Sequence, residues 1–310
     1  LLAAIRSAVY EAILLERRIE LLEELQSISQ KSVDHTNELL KAKQAAQLDV
    51  IQLEVEAERF RAELEAAKAE RAGVFRRVAA VVGIKDLEQI RQDKDKLPFG
   101  GSLDDKLPDY ELDCLRQYVL AVHPDVNSAQ AGLERAKIML QRAHAEVIPN
   151  VTISGGYVRQ NQNKSDDYTV GVSIPVPVWN RNQGNIAAAQ AIIGEATREI
   201  NRVENELTER VAVAYRDYAA ARIRAERFAV VRKKAEDAYN LIVGEKNFTL
   251  TAIQRLVAQQ AVAQARLEYV KSRGEAWKAA SVISGLTLEE QWPTATLPEP
   301  KKPVESVIPK

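Results

Sequence analysis

The chain has three histidines, one cysteine and one methionine with which to ligate a transition metal or act as a nucleophile. His35, His123 and His144 fall on separate segments, and none has a second histidine one helical turn away. Cys114 and Met139 each stand alone in the sequence. A zinc or copper centre needs three or four such ligands brought to one point. No dedicated metal site and no cofactor are therefore expected. The sequence also holds no Gly-rich phosphate loop, no Gly-x-Ser-x-Gly and no His-Glu-x-x-His. Its 44 acidic residues are matched by 43 Lys and Arg. Glu54, Glu58, Arg59, Arg61 and Glu63 form one mixed run. Arg222, Arg224, Glu226, Arg227, Arg232, Lys233, Lys234, Glu236 and Asp237 form another. Both read as solvated helix faces, and the chain is not expected to be an enzyme.

The elements around these residues are more informative than the residues themselves. Aromatics are only 5% of the chain and charged residues 28%, a balance suited to long, half-exposed helices. A net charge of −1 gives no basic footprint for nucleic acid. One cysteine allows no intrachain disulfide. No apolar stretch of about 20 residues is present, so no transmembrane helix is expected. Leu1 already lies inside a helical pattern, which reads as a fragment without its N-terminal part; signal and lipidation sequences are then beyond its reach.

Apolar residues recur at helical spacing through Ile5, Val9, Ile13, Ile19, Leu22 and Leu25. They recur again through Leu48, Ile51, Val55, Leu64, Phe75, Val78 and Val82. The polar stretch from Lys41 to Gln47 is the expected reversal, and Gly83 the expected helix end. Asp93 to Tyr110 reads as a loop from its Pro, Gly and Asp content. A further helix begins at Pro124 and ends before Pro149. Then the period changes to two. Val151–Gln160 and Asp167–Val178 alternate, with "NQNKSDD" as a polar hairpin loop between them. Tyr168, Val170, Val172, Ile174, Val176 and Val178 share one face; Thr169, Gly171, Ser173, Pro175 and Pro177 share the other. Each strand has about ten residues, the length of a tilted barrel strand.

From Gln183 to Val243 the pattern is helical again, roughly 90 Å at 1.5 Å per residue. A tight reversal, "VGEKNFTL", and a return helix ending at Gly285 follow. Residues 50–83 align without gaps on 252–285. Ile51, Gln52, Val55, Arg71, Phe75 and Gly83 face Ile253, Gln254, Val257, Arg273, Trp277 and Gly285. The chain thus holds two copies of a long helical hairpin, and only the second is preceded by a strand pair. The repeat predicts another strand pair upstream.

The junction between strand and long helix is the most specific stretch. Pro175 and Pro177 cannot donate to a ladder and should end the pairing. Asn180 and Asn182 can cap the helix start, and Gly184 permits close backbone approach. With Arg181 they make up "SIPVPVWNRNQGNIAAAQA" (Ser173–Ala191). This stretch resembles the strand-to-helix junction of the TolC-like outer-membrane efflux proteins. It is most similar to their heavy-metal (cation) efflux branch. "AEVIPNVTISGGY" (Ala145–Tyr157) resembles the helix-to-strand entry of the same family. "YNLIVGEKNFTLTAIQRLVAQQAVAQARLEY" resembles its hairpin tip and return helix.

The resemblance implies a mainly α fold, with long antiparallel helical hairpins forming an α-barrel protomer and one β-hairpin contributing to a transmembrane β-barrel. Its parts would be a first-repeat hairpin (1–90), an equatorial loop and short helix (91–123), and a helix leading to the membrane (124–150). The β-hairpin (151–179), the second-repeat hairpin (180–290) and a Pro-rich, disordered tail (291–310) would follow. It further implies an outer-membrane homotrimer with its helices in the periplasm. This would be a passive conduit for divalent metal cations, coupled to a periplasmic adaptor protein and an inner-membrane pump of the RND type.

Tyr168, Val170, Val172 and Ile174 would face outer-membrane lipid. The tips, at Gln47 and Asp49 and at Gly244, Glu245, Lys246 and Thr251, would form the periplasmic gate and adaptor contact. Family members carry an Asp after the tip turn, where rings of carboxylates narrow the pore. Asp49 matches that position and Thr251 departs from it. On physical grounds alone, Asp49 is also an ordinary acid in a helix's first turn. The alternative function is a soluble coiled-coil scaffold that buries the Tyr168–Val178 face against protein.

Overall fold

The computed structural model describes residues 2–83, 101–148, 150–176, 181–244, 252–289 and 292. In chain order its elements are α1 (Leu2–Lys41), α2 (Gln47–Val82), α3 (Leu112–Val122), α4 (Pro124–Ala145), β1 (Thr152–Gln160), β2 (Ser165–Ser173), α5 (Gln183–Gly244) and α6 (Ala252–Thr287). Two packed units result. One is drawn from the described residues of Leu1–Val119 and Arg210–Pro300, the other from those of Leu120–Glu209. Of the expected disordered tail, 291–310, only Trp292 is among the described residues, and it is packed against Tyr10 and Trp277 rather than loose.

The larger unit is built on a coiled-coil seam. On α1 the buried positions include Ala8, Ala12, Leu15, Ile19, Leu22, Leu25, Ser29, Val33 and Thr36. On α2 they include Val50, Leu53, Ala57, Phe60, Leu64 and Ala67. Steps of three and four residues keep one stripe facing the partner helix along its length. α1 packs against both α2 and α6. Close approach of α1 and α6 is set by glycine. A Cβ at Gly285 would lie 2.6 Å from the Ala3 Cβ, and one at Gly274 2.7 Å from Leu14. Gly285 therefore does not end the helix, as its alignment with Gly83 predicts. α6 continues to Thr287, and Leu288 takes the left-handed conformation (φ 57°) instead. Gly83 does terminate α2, at φ 85°, with its N–H on the Ala79 carbonyl.

An aromatic cluster anchors this unit. Tyr10 stacks on Trp277 with ring centroids 5.0 Å apart, and Trp292 meets both rings edge-on. Residues 101–110 form neither helix nor strand, yet they are strapped across the helices. Leu103, Leu107 and Tyr110 are buried. The Leu103 carbonyl accepts Trp277 Nε1 (3.2 Å) and Arg273 Nε (2.6 Å). The Tyr218 hydroxyl donates to the Pro108 carbonyl, and Arg222 pairs with Asp109 at 2.6 Å. That contact holds the Asp109 carboxyl below its ordinary range. The same loop would otherwise expose backbone groups that water must satisfy.

Burial pushes the hydroxyls of Tyr10 and Tyr110 from 10.0 up to about 12. In an unfolded chain both ionise near 10. Between those limits the unfolded state holds fewer protons than the folded one, so stability falls as pH rises. Stability is complete below about pH 10 with respect to these groups. The melting temperature of the larger unit should be flat from pH 8 to about 10 and then drop steeply toward 12. Thermal melts followed by tryptophan fluorescence across that range check this.

In the second unit, α4 and the first part of α5 meet through Val126, Val203 and Leu207, with Leu120 and Ala129 against them. His123 caps α4, its Nδ1 accepting the Asp125 N–H at 3.3 Å. β1 and β2 pair antiparallel in the register Thr152↔Ser173 to Gln160↔Ser165. The turn is shorter than the polar run predicts. Ser165, Asp166 and Asp167 join the ladder, and Lys164 reverses the chain at φ 50°. Asp166 is held there by cross-strand partners. Tyr157 Oη donates to Asp166 at 2.7 Å, and Arg159 lies 3.8 Å from it. At the other end β2 stops at Ser173, so the expected strand to Val178 is too long. Its partner strand begins at Thr152, and Pro175 has no N–H to offer.

Candidate functional site

The hairpin has two chemically distinct faces. The register places Ile153, Gly155 and Tyr157 opposite Val172, Val170 and Tyr168. Alternation puts these six on one face. Their large side chains are open to solvent: Val170 is 84% exposed, Tyr168 77%, Ile153 75% and Val172 65%. The two tyrosines meet at 5.1 Å toward the turn, with Arg159 and Asp166 beyond them. The opposite face carries Thr152, Ser154, Gly156, Thr169, Gly171 and Ser173. It is tightly fitted: a Cβ at Gly156 would meet Thr169 Oγ1 at 2.8 Å, and one at Gly171 would meet Ser154 Oγ at 2.8 Å. Ile174 and Val176 lie past the ladder but are also exposed.

At the root of the hairpin, Pro175 stands two residues beyond the last paired residue. Pro177 and Asn180 lie outside the described residues. The Arg181 N–H donates to Gln183 Oε1 at 2.7 Å. Asn182 occupies the residue before α5, at φ 60°, and its carbonyl accepts the Ile186 N–H. Its side chain does not cap its own helix. Instead Nδ2 donates to the Ala143 carbonyl of α4 at 2.8 Å. Among the described residues, a Cβ at Gly184 would meet nothing within 4 Å.

The first helix tip spans residues 42–46. Lys43 adopts φ 57°, with its N–H on the Leu40 carbonyl and the Gln44 N–H on Leu39. This is the two-bond helix ending that usually calls for glycine. Asp49 reaches back and accepts the Ala46 N–H at 3.1 Å, the returning half of a capping box. The carboxylate thus braces the turn, and Gln47 beside it is exposed. Leu48, Ile51 and Val55 are exposed too, on the side of α2 opposite its Leu53–Ala57–Phe60 seam. At the second tip Gly244 closes α5. Glu245, Lys246 and Thr251 lie outside the described residues.

Among the described residues no three His, Cys, Asp or Glu side chains converge into a metal-sized cluster. Cys114 is exposed, and its contact with the Glu111 carboxylate pushes the thiol's pKa up, away from the reactive thiolate. Among the described residues no helix is long and apolar enough to cross a membrane.

Sequence reading missed two features. One is the strap at 101–110, whose partners lie more than 100 residues away in sequence. The other is the reach of Asn182 to α4. A buried Leu-x-x-x-Leu spacing at Leu103 and Leu107 was the one local signal for the strap.

Comparison with known proteins agrees with this geometry. The chain is 28% identical over 181 residues to the cobalt-zinc-cadmium resistance protein CzcC of Cupriavidus metallidurans. That match covers 58% of this chain and 43% of CzcC, so the chain spans less than half of its curated relative. Its fold is similar to that of the outer membrane protein VceC of Vibrio cholerae, with a TM-score of 0.69 at 19% identity. The similarity covers 92% of this chain and 69% of VceC. It is also similar to CusC, with a TM-score of 0.59 at 16% identity, over 91% of this chain and 66% of CusC. The fold is therefore that of a TolC-like α-barrel protomer carrying a β-hairpin. The profile of the outer membrane efflux protein family matches residues 115–284, more than half of the chain, from the short helix α3 through the hairpin to the end of the return helix. The chain belongs to the outer membrane efflux protein family.

Proposed function

We propose that this chain is a channel subunit of a tripartite efflux system, a passive conduit from the periplasm and the pump to the exterior. The observation that carries the reading is the exposed apolar face of the hairpin, Ile153, Tyr157, Tyr168, Val170 and Val172. Water penalises such a face and hydrocarbon does not. The pair Tyr157–Tyr168 supplies the aromatic edge of the apolar band, and the charged pair Arg159–Asp166 lies beyond it. The small hydroxyl and glycine face then lines the lumen, where it offers weak polar contacts and little obstruction.

A two-stranded hairpin has two unpaired edges, which a membrane does not tolerate. The hairpin is completed by further strands on both of its edges, in a homotrimer. The exposed stripe Leu48–Ile51–Val55 on α2 is an apolar seat for a neighbouring helix. The tips around Gln47, Asp49, Gly244, Glu245, Lys246 and Thr251 form the periplasmic entrance and the contact for an adaptor protein and its inner-membrane pump of the RND type. The transported class is divalent cations, in line with the name of the CzcC relative. Cations pass as cargo, with no tight ligand set needed to carry them.

The test is tolerance of cobalt, zinc and cadmium in cells carrying either the natural protein or Val172→Arg. The natural protein should confer tolerance and be found in the outer membrane. The variant should do neither. Equal tolerance and equal membrane recovery would favour the coiled-coil scaffold, in which this face packs on protein.

A further inference from the structure

Asn182 ties together two helix ends that the sequence leaves 37 residues apart. α4 ends at Ala145, and its last carbonyls need partners. The Glu146 N–H bonds to Arg142, the Val147 N–H to His144 and the Ile148 N–H to Ala145. The ordinary helical donor to Ala143 would be Val147, which has turned to His144 instead. The Ala143 carbonyl takes its bond from Asn182 Nδ2, at 2.8 Å. The same residue begins α5: its own carbonyl accepts the Ile186 N–H at 3.0 Å, and its Oδ1 accepts Asn185 Nδ2 at 2.6 Å. One side chain therefore closes the C-terminus of α4 while its backbone opens α5.

The backbone conformation serves that reach. Asn182 sits at φ 60°, where asparagine is among the few side-chain-bearing residues found routinely. A start residue of a helix ordinarily lies in the extended region and caps its own helix. Here the left-handed turn sends the amide across to α4. Chemical identity matters as well. Glu146 Oε2 lies 3.5 Å from Nδ2, so an aspartate would set its carboxylate against both a carbonyl and another carboxylate.

The polypeptide passes out through residues 146–151 into β1 and returns through 174–181 from β2. The Asn182 clasp sits across the mouth of that excursion. We propose that Asn182 is the positioning residue of the membrane hairpin: it fixes the spacing and rotation of α4 and α5 at the root, so that the Val170–Val172 face is presented to lipid. This rests on the reading that the hairpin enters the outer membrane.

The experiment compares Asn182→Gly, Asn182→Asp and Val172→Arg in the full protein, read as outer-membrane trimer recovered and as amide exchange of the purified protein. Glycine keeps the left-handed backbone and removes the side chain with its contacts, the clasp to Ala143 among them. If backbone geometry alone mattered, Asn182→Gly would assemble like the natural protein, and the proposal would be overturned. The expected result is a drop in recovered trimer of about tenfold for both Asn182 variants, the scale of one hydrogen bond between helix ends. Amide exchange should speed up about tenfold at 143–148 and 182–186 and stay unchanged in α1, α2 and α6. Unchanged exchange at those two stretches, or faster exchange everywhere, would equally overturn it. If Val172→Arg assembles normally, the lipid-facing reading itself fails. If that variant is blocked while Asn182→Gly assembles, only the positioning role fails.

Discussion

Replacing Trp277 with alanine should lower the stability of the larger unit by about 3–5 kcal/mol, the range for truncating a buried aromatic. Trp277 is fully buried. It stacks on Tyr10, meets Trp292 edge-on, and donates to the Leu103 carbonyl. Truncation removes all three contacts and leaves a cavity between α1, α6 and the strap. A loss of that size lowers the melting temperature by roughly 6–20 °C in a unit of this length. The control comes from the internal repeat, which places Phe75 at the equivalent position. Trp277→Phe keeps an aromatic ring and loses the indole N–H, while Arg273 Nε still satisfies Leu103. It should cost only about 1 kcal/mol. Circular dichroism melts decide between these. An alanine variant that melts within 2 or 3 °C of the natural protein, on the roughly 2–4 °C per kcal/mol scale, would mean that the aromatic cluster does not anchor the unit.

Val172→Arg acts on the other unit and leaves that cluster untouched. Val172 lies opposite Ile153 in the ladder, between the tyrosine pair and the root of the hairpin. A guanidinium facing hydrocarbon costs about 2–4 kcal/mol per site at the bilayer midplane and less toward its interfaces. A symmetric trimer would carry the substitution three times over. Thr169 and Ser173 sit on the opposite face, so Thr169→Arg is the matched control, and it should assemble far better than Val172→Arg. In water the arginine at 172 would be harmless, because the residue it replaces is already exposed. The pair of variants therefore separates a lipid contact from a merely solvated one.

The helices and the hairpin were legible in the sequence because they rest on periodicity. The three-and-four spacing of α1 and α2, the reversal near Lys41–Gln47 and the switch to period two at Thr152 all appear in the structure. What failed to show depends on partners distant in sequence. Asp166 and Asp167 look like loop residues, yet the ladder continues through them, and Tyr157 and Arg159 hold the Asp166 carboxylate across the strand. Gly285 reads as a helix stop by analogy with Gly83, but its missing Cβ makes room for Ala3. Residues 101–110 carry loop composition, and distant partners such as Trp277, Arg273, Tyr218 and Arg222 make them a strap. Asn182 was legible as the start of α5; nothing local pointed to Ala143. Asp49 braces the first tip through the Ala46 N–H, which is the ordinary role of an acid in a helix's first turn.

The most direct measurement is site-selective labelling of the hairpin in intact outer membranes. The exposed Cys114 is first changed to serine. Single cysteines are then placed at 169, 170, 172 and 173 and offered a water-soluble or an apolar maleimide. The two-faced hairpin predicts that positions 169 and 173 react with the water-soluble reagent, while 170 and 172 react only with the apolar one. Equal labelling of all four positions by the water-soluble reagent would contradict the account, because it would place the Val170–Val172 face in water rather than in lipid.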